Sequence, residues 1–266
     1  MSELSAEADR AAYLQRLEVF LASRDAGKAL TAAALRSGIR LKAMVSVAAD
    51  VAAYADEALA IVNDEYRPRL DCQSRCTYCC CKPGVLVTVP EFLRILDHVS
   101  STFDADGTRA LIEGARRYAS MMEGRHFDDL TNDSVPCPLL TDGLCSVYEV
   151  RPLVCRGYNS ADVGACRAAC DDATVPVPIF AVLKDVSDGA MVGIAQSLQA
   201  LGANGALIDL GTALHLTLSA DEGFAAAVGG GARLLAVAEN STFVEELWAA
   251  VREIARQVGV APEGAT

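Results

Sequence analysis

The chain has 266 residues, 52% of them hydrophobic and 22% charged, with 23 basic against 35 acidic side chains and a formal net charge of −12. That is enough apolar material to bury a core and too much for general disorder. The negative sign, with no local run of Lys and Arg to reverse it, argues against nucleic acid and acidic membrane surfaces as partners.

The opening, Met1 to Arg10, is acidic and mixes charges with small residues, unlike the basic start and apolar run of a secretory signal. A cytoplasmic location is therefore expected. Leu14, Leu17 and Leu21 form an apolar stripe. Leu41, Met44, Val45, Ala48, Val51, Ala52, Ala55, Leu59 and Val62 keep the helical spacing until Pro68 stops it. Two N-terminal helices within residues 1–71 thus lead to Cys72. Gly84 to Pro90 reads as a short extended piece. Thr88 and Glu91, with Pro90 between them, spell a capping box for a helix that aligns Phe92, Ile95, Leu96 and Val99. Another helix is predicted from about Thr108 to Met122, with Leu111, Ile112, Ala115 and Tyr118 inward, before a polar loop from Glu123 to Val135.

Farther on, Pro176 and Pro178 precede a new helical segment, and Gly202, Gly205 and Gly229–Gly231 divide the remainder. The uncharged run from Gly189 to Ile208 has spanning length, but Gln196, Gln199, Asn204 and its glycines are too polar for a membrane span. It is expected to be a soluble helix with a break. Thr242 and Glu245 form a second capping box, Leu247, Val251, Ile254 and Val258 the apolar face behind it, and Gly259 the stop. The expected fold is all-α, a helical bundle with a cysteine-rich, metal-binding insert. The insert spans 72–172, between the N-terminal helices and a C-terminal helical region over 173–266, the three forming one compact unit.

All ten cysteines lie between Cys72 and Cys170. In a reducing cytosol, clustered cysteines at short spacings hold metal more often than they staple loops. The first group is Cys72, Cys76, Cys79, Cys80 and Cys81; the second is Cys137, Cys145 and Cys155, with Cys166 and Cys170 following four residues apart. On a helix the last two share a face and are candidate paired ligands, the alternative being small buried hydrophobes. Neighbouring residues point different ways, so Cys79, Cys80 and Cys81 are expected to divide between two sites or to leave one as a core thiol. Soft thiolates select zinc, copper(I) or iron–sulfur units over calcium and magnesium. His98, His126 and His215 stand in no metal-helix spacing, with His126 a candidate substitute ligand. Asp128–Asp129 and Glu245–Glu246 read as solvated surface.

The pattern CxxxCxxCC over Cys72–Cys80, then CPxL from Cys137 and CxxYxxRPxxCR from Cys145 to Arg156, resembles the YkgJ-like cysteine-cluster family, described as zinc- or iron-chelating proteins. The resemblance covers about residues 72–158. It implies a metal site of about eight cysteines, most plausibly one or two iron–sulfur clusters of the 4Fe-4S type, with zinc as the alternative. It carries ligand positions onto Cys72, Cys76, Cys79, Cys80, Cys137, Cys145 and Cys155, with Tyr148, Arg151, Pro152 and Arg156 as the accompanying motif. The eighth position is left open by Cys81, Cys166 and Cys170, which depart from the pattern. Arg151 and Arg156 are candidates to stabilise a cluster or to make caps and carboxylate contacts, and Tyr78, Tyr148 and Tyr158 to pack against the site.

The motif is also similar to that of the flagellin lysine methylase. This likeness suggests S-adenosylmethionine-linked methyl transfer, or redox chemistry, on a peptide, a protein or a small amine. Cys72, Cys76 and Cys79 match the radical S-adenosylmethionine signature as well, but the alternating barrel of that superfamily is not expected in a helical chain. The reading is an iron–sulfur protein that is either a modifying enzyme or an electron carrier, against a zinc-stabilised interaction module.

Overall fold

The structure, a computed structural model, describes residues 3–73, 75–81, 84–125, 135–172 and 174–218. Within them the chain is mostly helical, as expected. Helices α1 (Glu3–Ala34) and α2 (Leu41–Tyr66) lead to a single 3-10 turn, Tyr78–Cys81. Strand β1 (Leu86–Val87), α3 (Val89–Thr102) and α4 (Ala105–Met122) come next. The second cysteine region contains the hairpin β2 (Leu140–Thr141) and β3 (Leu144–Cys145), a 3-10 turn Tyr148–Val150, α5 (Leu153–Gly157) and α6 (Val163–Asp171). Helix α7 (Ala181–Ala200), β4 (Ile208–Asp209) and α8 (Leu210–Leu218) complete the described fold. No helix among the described residues is long and apolar enough to cross a membrane. The glycine-divided end of the chain, with its capping box at Thr242 and Glu245, lies outside the described residues, as do His126 and Asp128–Asp129.

Of the predicted stripe on α2, Met44, Ala48, Val51, Ala52, Ala55 and Val62 are buried, whereas Leu41, Val45 and Leu59 are half-buried and Val47, outside the stripe, is buried with it. The helix ends before Pro68 with Arg67 in the left-handed region at φ 47°, its N–H donating to the Asn63 carbonyl. Opposite it, α3 buries Phe92, Leu93, Ile95, Leu96 and Val99. The Thr88–Glu91 capping box forms with Pro90 inside the first turn. Helix α4 starts three residues earlier than its apolar pattern indicates, because Asp104 caps it by accepting from the Gly107 N–H at 2.8 Å.

The stripe on α1 is different. Leu14 and Leu17 are exposed and only Leu21 is half-buried. What α1 offers its partner α7 is small residues. A Cβ on Gly27 would strike the Ala190 carbonyl, one on Gly189 the Phe20 carbonyl, and one on Gly193 the Arg24 carbonyl. The two backbones therefore lie against each other, and Arg16 fixes their register through two hydrogen bonds to the Asp185 carboxylate at 2.7 and 2.9 Å. The predicted break after α7 occurs at Leu201–Gly202, with Gly202 at φ 74°.

Two short antiparallel pairs join this frame. β1 pairs with β4, Leu86 opposite Asp209 and Val87 opposite Ile208, so the extended piece after the first cysteines is tied to the segment before α8. Tyr118 locks this junction, accepting from the Gly84 N–H at 3.1 Å and donating to Asp209 at 2.9 Å. The hairpin β2–β3 turns at Asp142–Gly143, both at positive φ, 51° and 72°. That Asp-Gly pair is the hairpin signal in the sequence.

Candidate metal centre

Main-chain hydrogen bonds bring the two cysteine groups together. The Cys137 N–H donates to the Cys80 carbonyl at 2.8 Å and the Val135 N–H to the Cys81 carbonyl at 3.0 Å. The segment before the hairpin is thereby laid along the 3-10 turn that carries Cys79 and Cys80. The hairpin then returns Cys145 opposite Leu140, and α5 presents Cys155. A second junction lies beside it. The Asp71 N–H donates to the Ser160 carbonyl at 2.9 Å, and the Ser160 N–H donates to the Cys72 sulfur at 3.2 Å.

The thiols sense one another. Burial pushes Cys155 far above the ordinary thiol range, and Cys137, Cys79 and Cys145 add to the shift. Cys137 is pushed up to about 11, first by burial, then by Cys145, Asp209 and Cys79, while the Leu139 amide opposes. Cys145 is raised by burial and by Cys79, with the Val147 amide and Arg151 opposing. Cys79 is raised by its hydrogen bond with Cys80 and then by burial, again with Arg151 opposing. Cys79, Cys80, Cys137, Cys145 and Cys155 thus form one neighbourhood. Cys72 belongs to another, shared with Cys76 and Cys166 and bordered by Cys79; its thiol is raised by burial first.

This donor set fits a thiophilic metal. Burial and the repulsion that thiolates would feel from one another keep these thiols protonated at neutral pH, and a soft cation replaces the protons and offsets that repulsion. Amides two residues downstream, Leu139 and Val147, serve Cys137 and Cys145, and such bonds orient and tune ligating sulfurs. Among the described residues no three His, Cys, Asp or Glu side chains are grouped closely enough to hold a metal ion.

The motif arginines take separate parts. Arg151 stacks over the Tyr148 ring, 4.4 Å from its centroid, and its charge favours thiolate at Cys79 and Cys145. Tyr148 is 57% exposed, so it backs Arg151 and does not pack within the site. Arg156 is committed elsewhere: to Asp56 of α2 at 2.6 and 2.7 Å and to the carbonyls of Arg151 and Glu149 at 2.9 and 3.0 Å. It braces the loop that holds Cys155. The expected ligand pair on α6 is divided. Cys166 is buried, whereas Cys170 is joined to Cys81 in a disulfide. That bond also settles Cys81, which is neither a core thiol nor a member of either thiol neighbourhood.

Residues 71–171 match the model of the CxxCxxCC family, described as a putative zinc- or iron-chelating domain. The match takes in all ten cysteines and supports metal binding by this segment. No curated protein and no solved structure matches the chain.

Two supporting residues of the CxxCxxCC segment lie outside its cysteine motif. Glu91 is fully buried. It accepts from the Thr88 N–H and hydroxyl at 2.8 and 2.7 Å and, through its other oxygen, from the Leu153 N–H at 2.7 Å at the start of α5. One carboxylate thus caps α3 and holds the helix that bears Cys155. The capping box made Glu91 legible as a cap, but its reach across 62 residues was not. Asn159, also buried, bridges the Gly157 and Phe180 carbonyls and accepts from the Phe180 N–H at 2.8 Å.

Glu91→Ala is expected to cost about 2–4 kcal/mol, a lost cap plus an unsatisfied buried amide at Leu153. Glu91→Gln keeps one acceptor and turns the other oxygen into a donor facing an amide N–H, so it should recover only part of this. Chemical denaturation measures both, and a loss below about 1 kcal/mol in Glu91→Ala would reject the two-way role.

Proposed function

We propose that this chain binds an iron–sulfur cluster through Cys79, Cys137, Cys145 and Cys155, with Cys80 beside them and Arg151 as the nearby cation. The observation that carries the reading is the main-chain pairing that lays the Cys137 segment along the turn bearing Cys79 and Cys80, with Cys145 on the hairpin that follows and Cys155 on α5. The proposed ligands are all sulfur, and amide and guanidinium groups lie near them, which suits an electron-rich thiolate cluster. When bound, the cluster supplies one-electron chemistry. Four thiolates saturate a 4Fe-4S unit, so this set favours an electron carrier or a structural centre over S-adenosylmethionine chemistry, which needs an open iron.

Cys72, Cys76 and Cys166 extend the proposal to a second centre next to the first. Three thiolates there would leave a metal position open, and a methyl-transferring or redox enzyme acting on a peptide, protein or small amine would use that position. The acidic charge fits a cytoplasmic protein with no nucleic-acid or membrane partner.

Protein purified without oxygen should be brown and contain iron and acid-labile sulfide in equal amounts. A colourless product with stoichiometric zinc would overturn the cluster and leave a zinc-stabilised module. Addition of S-adenosylmethionine should change the visible spectrum only if the second centre holds an open iron, and an unchanged spectrum would remove the transferase reading.

A further inference from the structure

Three of the ten cysteines stand outside the ligand pattern of the sequence motif: Cys81, Cys166 and Cys170. The structure separates them. Cys81 and Cys170 bond to each other across 89 residues with a Cα–Cα distance of 5.4 Å, within the ordinary span of a disulfide, while Cys166 is buried beside Cys72. Eight thiols remain free.

The position of the pair is mechanically significant. Helix α6 carries Cys166 and Cys170 on neighbouring turns. Among the described elements, the one it packs against substantially is the 3-10 turn Tyr78–Cys81, which carries Cys79, Cys80 and Cys81. The disulfide crosses that interface. Both sulfurs belong to half-buried residues, within reach of small molecules in solution. Either oxidation state is accommodated, because the Cys170 sulfur lies 3.2 Å from the Tyr78 carbonyl oxygen. That oxygen would accept the proton of a reduced Cys170 thiol.

We infer that Cys81 and Cys170 are a reversible dithiol–disulfide site, distinct from the metal ligands, whose oxidation clamps α6 onto the Cys79–Cys80 turn and slows release of bound metal. The reaction is thiol–disulfide exchange with a low-molecular-weight disulfide. Attack by one cysteine thiolate breaks the small disulfide, forms a mixed disulfide and expels one small thiol. Attack by the second cysteine forms the Cys81–Cys170 bond and expels the other. The two protein thiols lose two protons and two electrons, and the electrons leave on the two small thiols. A dithiol reductant reverses the process. The metal-release arm rests on the proposed metal binding; the pairing does not.

The pairing is tested on the full chain by treating it with oxidised glutathione, alkylating all remaining thiols under denaturing conditions, digesting without reduction and mapping peptides by mass spectrometry. The expected product is a cross-linked Cys81–Cys170 peptide with the other eight cysteines alkylated. Recovery of Cys81 and Cys170 as separately alkylated or glutathionylated peptides would overturn the inference whether or not metal is present.

The clamp is tested by metal transfer to a chelator. Cys170→Ser and Cys81→Ser should keep the full metal content but lose metal roughly five- to tenfold faster than the oxidised wild type, a change equivalent to a modest loss of local stability. Reduced wild type should match the variants. A lower metal content in Cys170→Ser would make it a ligand, and equal release rates for oxidised and reduced wild type would remove the clamp; either result overturns the inference. A chain with no metal at all fails the proposed function alone, since the peptide map still decides the pairing.

Discussion

Cys155→Ala is expected to lose most of the bound metal and to lower the melting temperature by on the order of 10 °C, because metal binding to a site absent from the unfolded chain is itself folding free energy. Burial raises the Cys155 thiol first, and Cys137, Cys79 and Cys145 add to the shift, so its side chain lies near those of the proposed ligands. Its helix begins at Leu153, where Glu91 holds the first amide, so loss of metal at this point removes one tether of α5, while Glu91, Arg156 and the packing of α5 on α7 remain. Cys76→Ala should also reduce metal content, through the neighbourhood it shares with Cys72 and Cys166. Cys81→Ala should be milder, since its partner is Cys170 and not the metal. Metal analysis with parallel melts distinguishes these cases. Full metal retention by Cys155→Ala would reject the assignment of the centre.

The second large effect is expected far from any thiol. Gly193→Ala should destabilise the protein by about 2–3 kcal/mol, because the added methyl meets the Arg24 carbonyl, part of a helix backbone that cannot swing aside as a side chain can. Gly189→Ala, facing the Phe20 carbonyl, should behave alike. Alanine raises helix propensity at both positions by up to about 1 kcal/mol, so the steric cost must exceed that gain for the sign to hold. Gln196→Ala, at an exposed position of the same helix, is the control and should be nearly neutral. Thermal and denaturant melts read the difference. Metal content measured below the melting transition should be the same in all three, since α1 and α7 hold the frame and carry no proposed ligand. Stability unchanged or raised in Gly193→Ala would show that the helices do not touch there.

Much of this was legible in one dimension. The three-and-four spacing from Leu41 to Val62 specified the buried face of α2, because a helix repeats its face every 3.6 residues whatever lies opposite. The Thr88–Pro90–Glu91 string specified the start of α3, because capping satisfies local amides. The short spacings from Cys72 to Cys81, with no carboxylate between them, pointed to a soft-metal site, because ligand chemistry belongs to the side chain. Other properties depend on what a residue meets. Leu14 and Leu17 read as core yet are exposed, since α7 approaches α1 over Gly27 and Ser23, where backbones fit closest. Arg156 read equally as a cluster neighbour or a carboxylate partner, and it is held by the carboxylate of Asp56 on α2, 100 residues away, a partner no local pattern names. Cys166 and Cys170 share a helix and were read together, but the packing of α6 on the Cys79–Cys80 turn sends one to Cys81 and the other to the neighbourhood of Cys72. The sequence by itself determined which chemistry is present and which short elements carry it. Which thiol meets which was decided by the tertiary structure alone, because sulfur–sulfur approach depends on helix packing between distant segments, 89 residues apart for Cys81 and Cys170, and no local pattern encodes that distance.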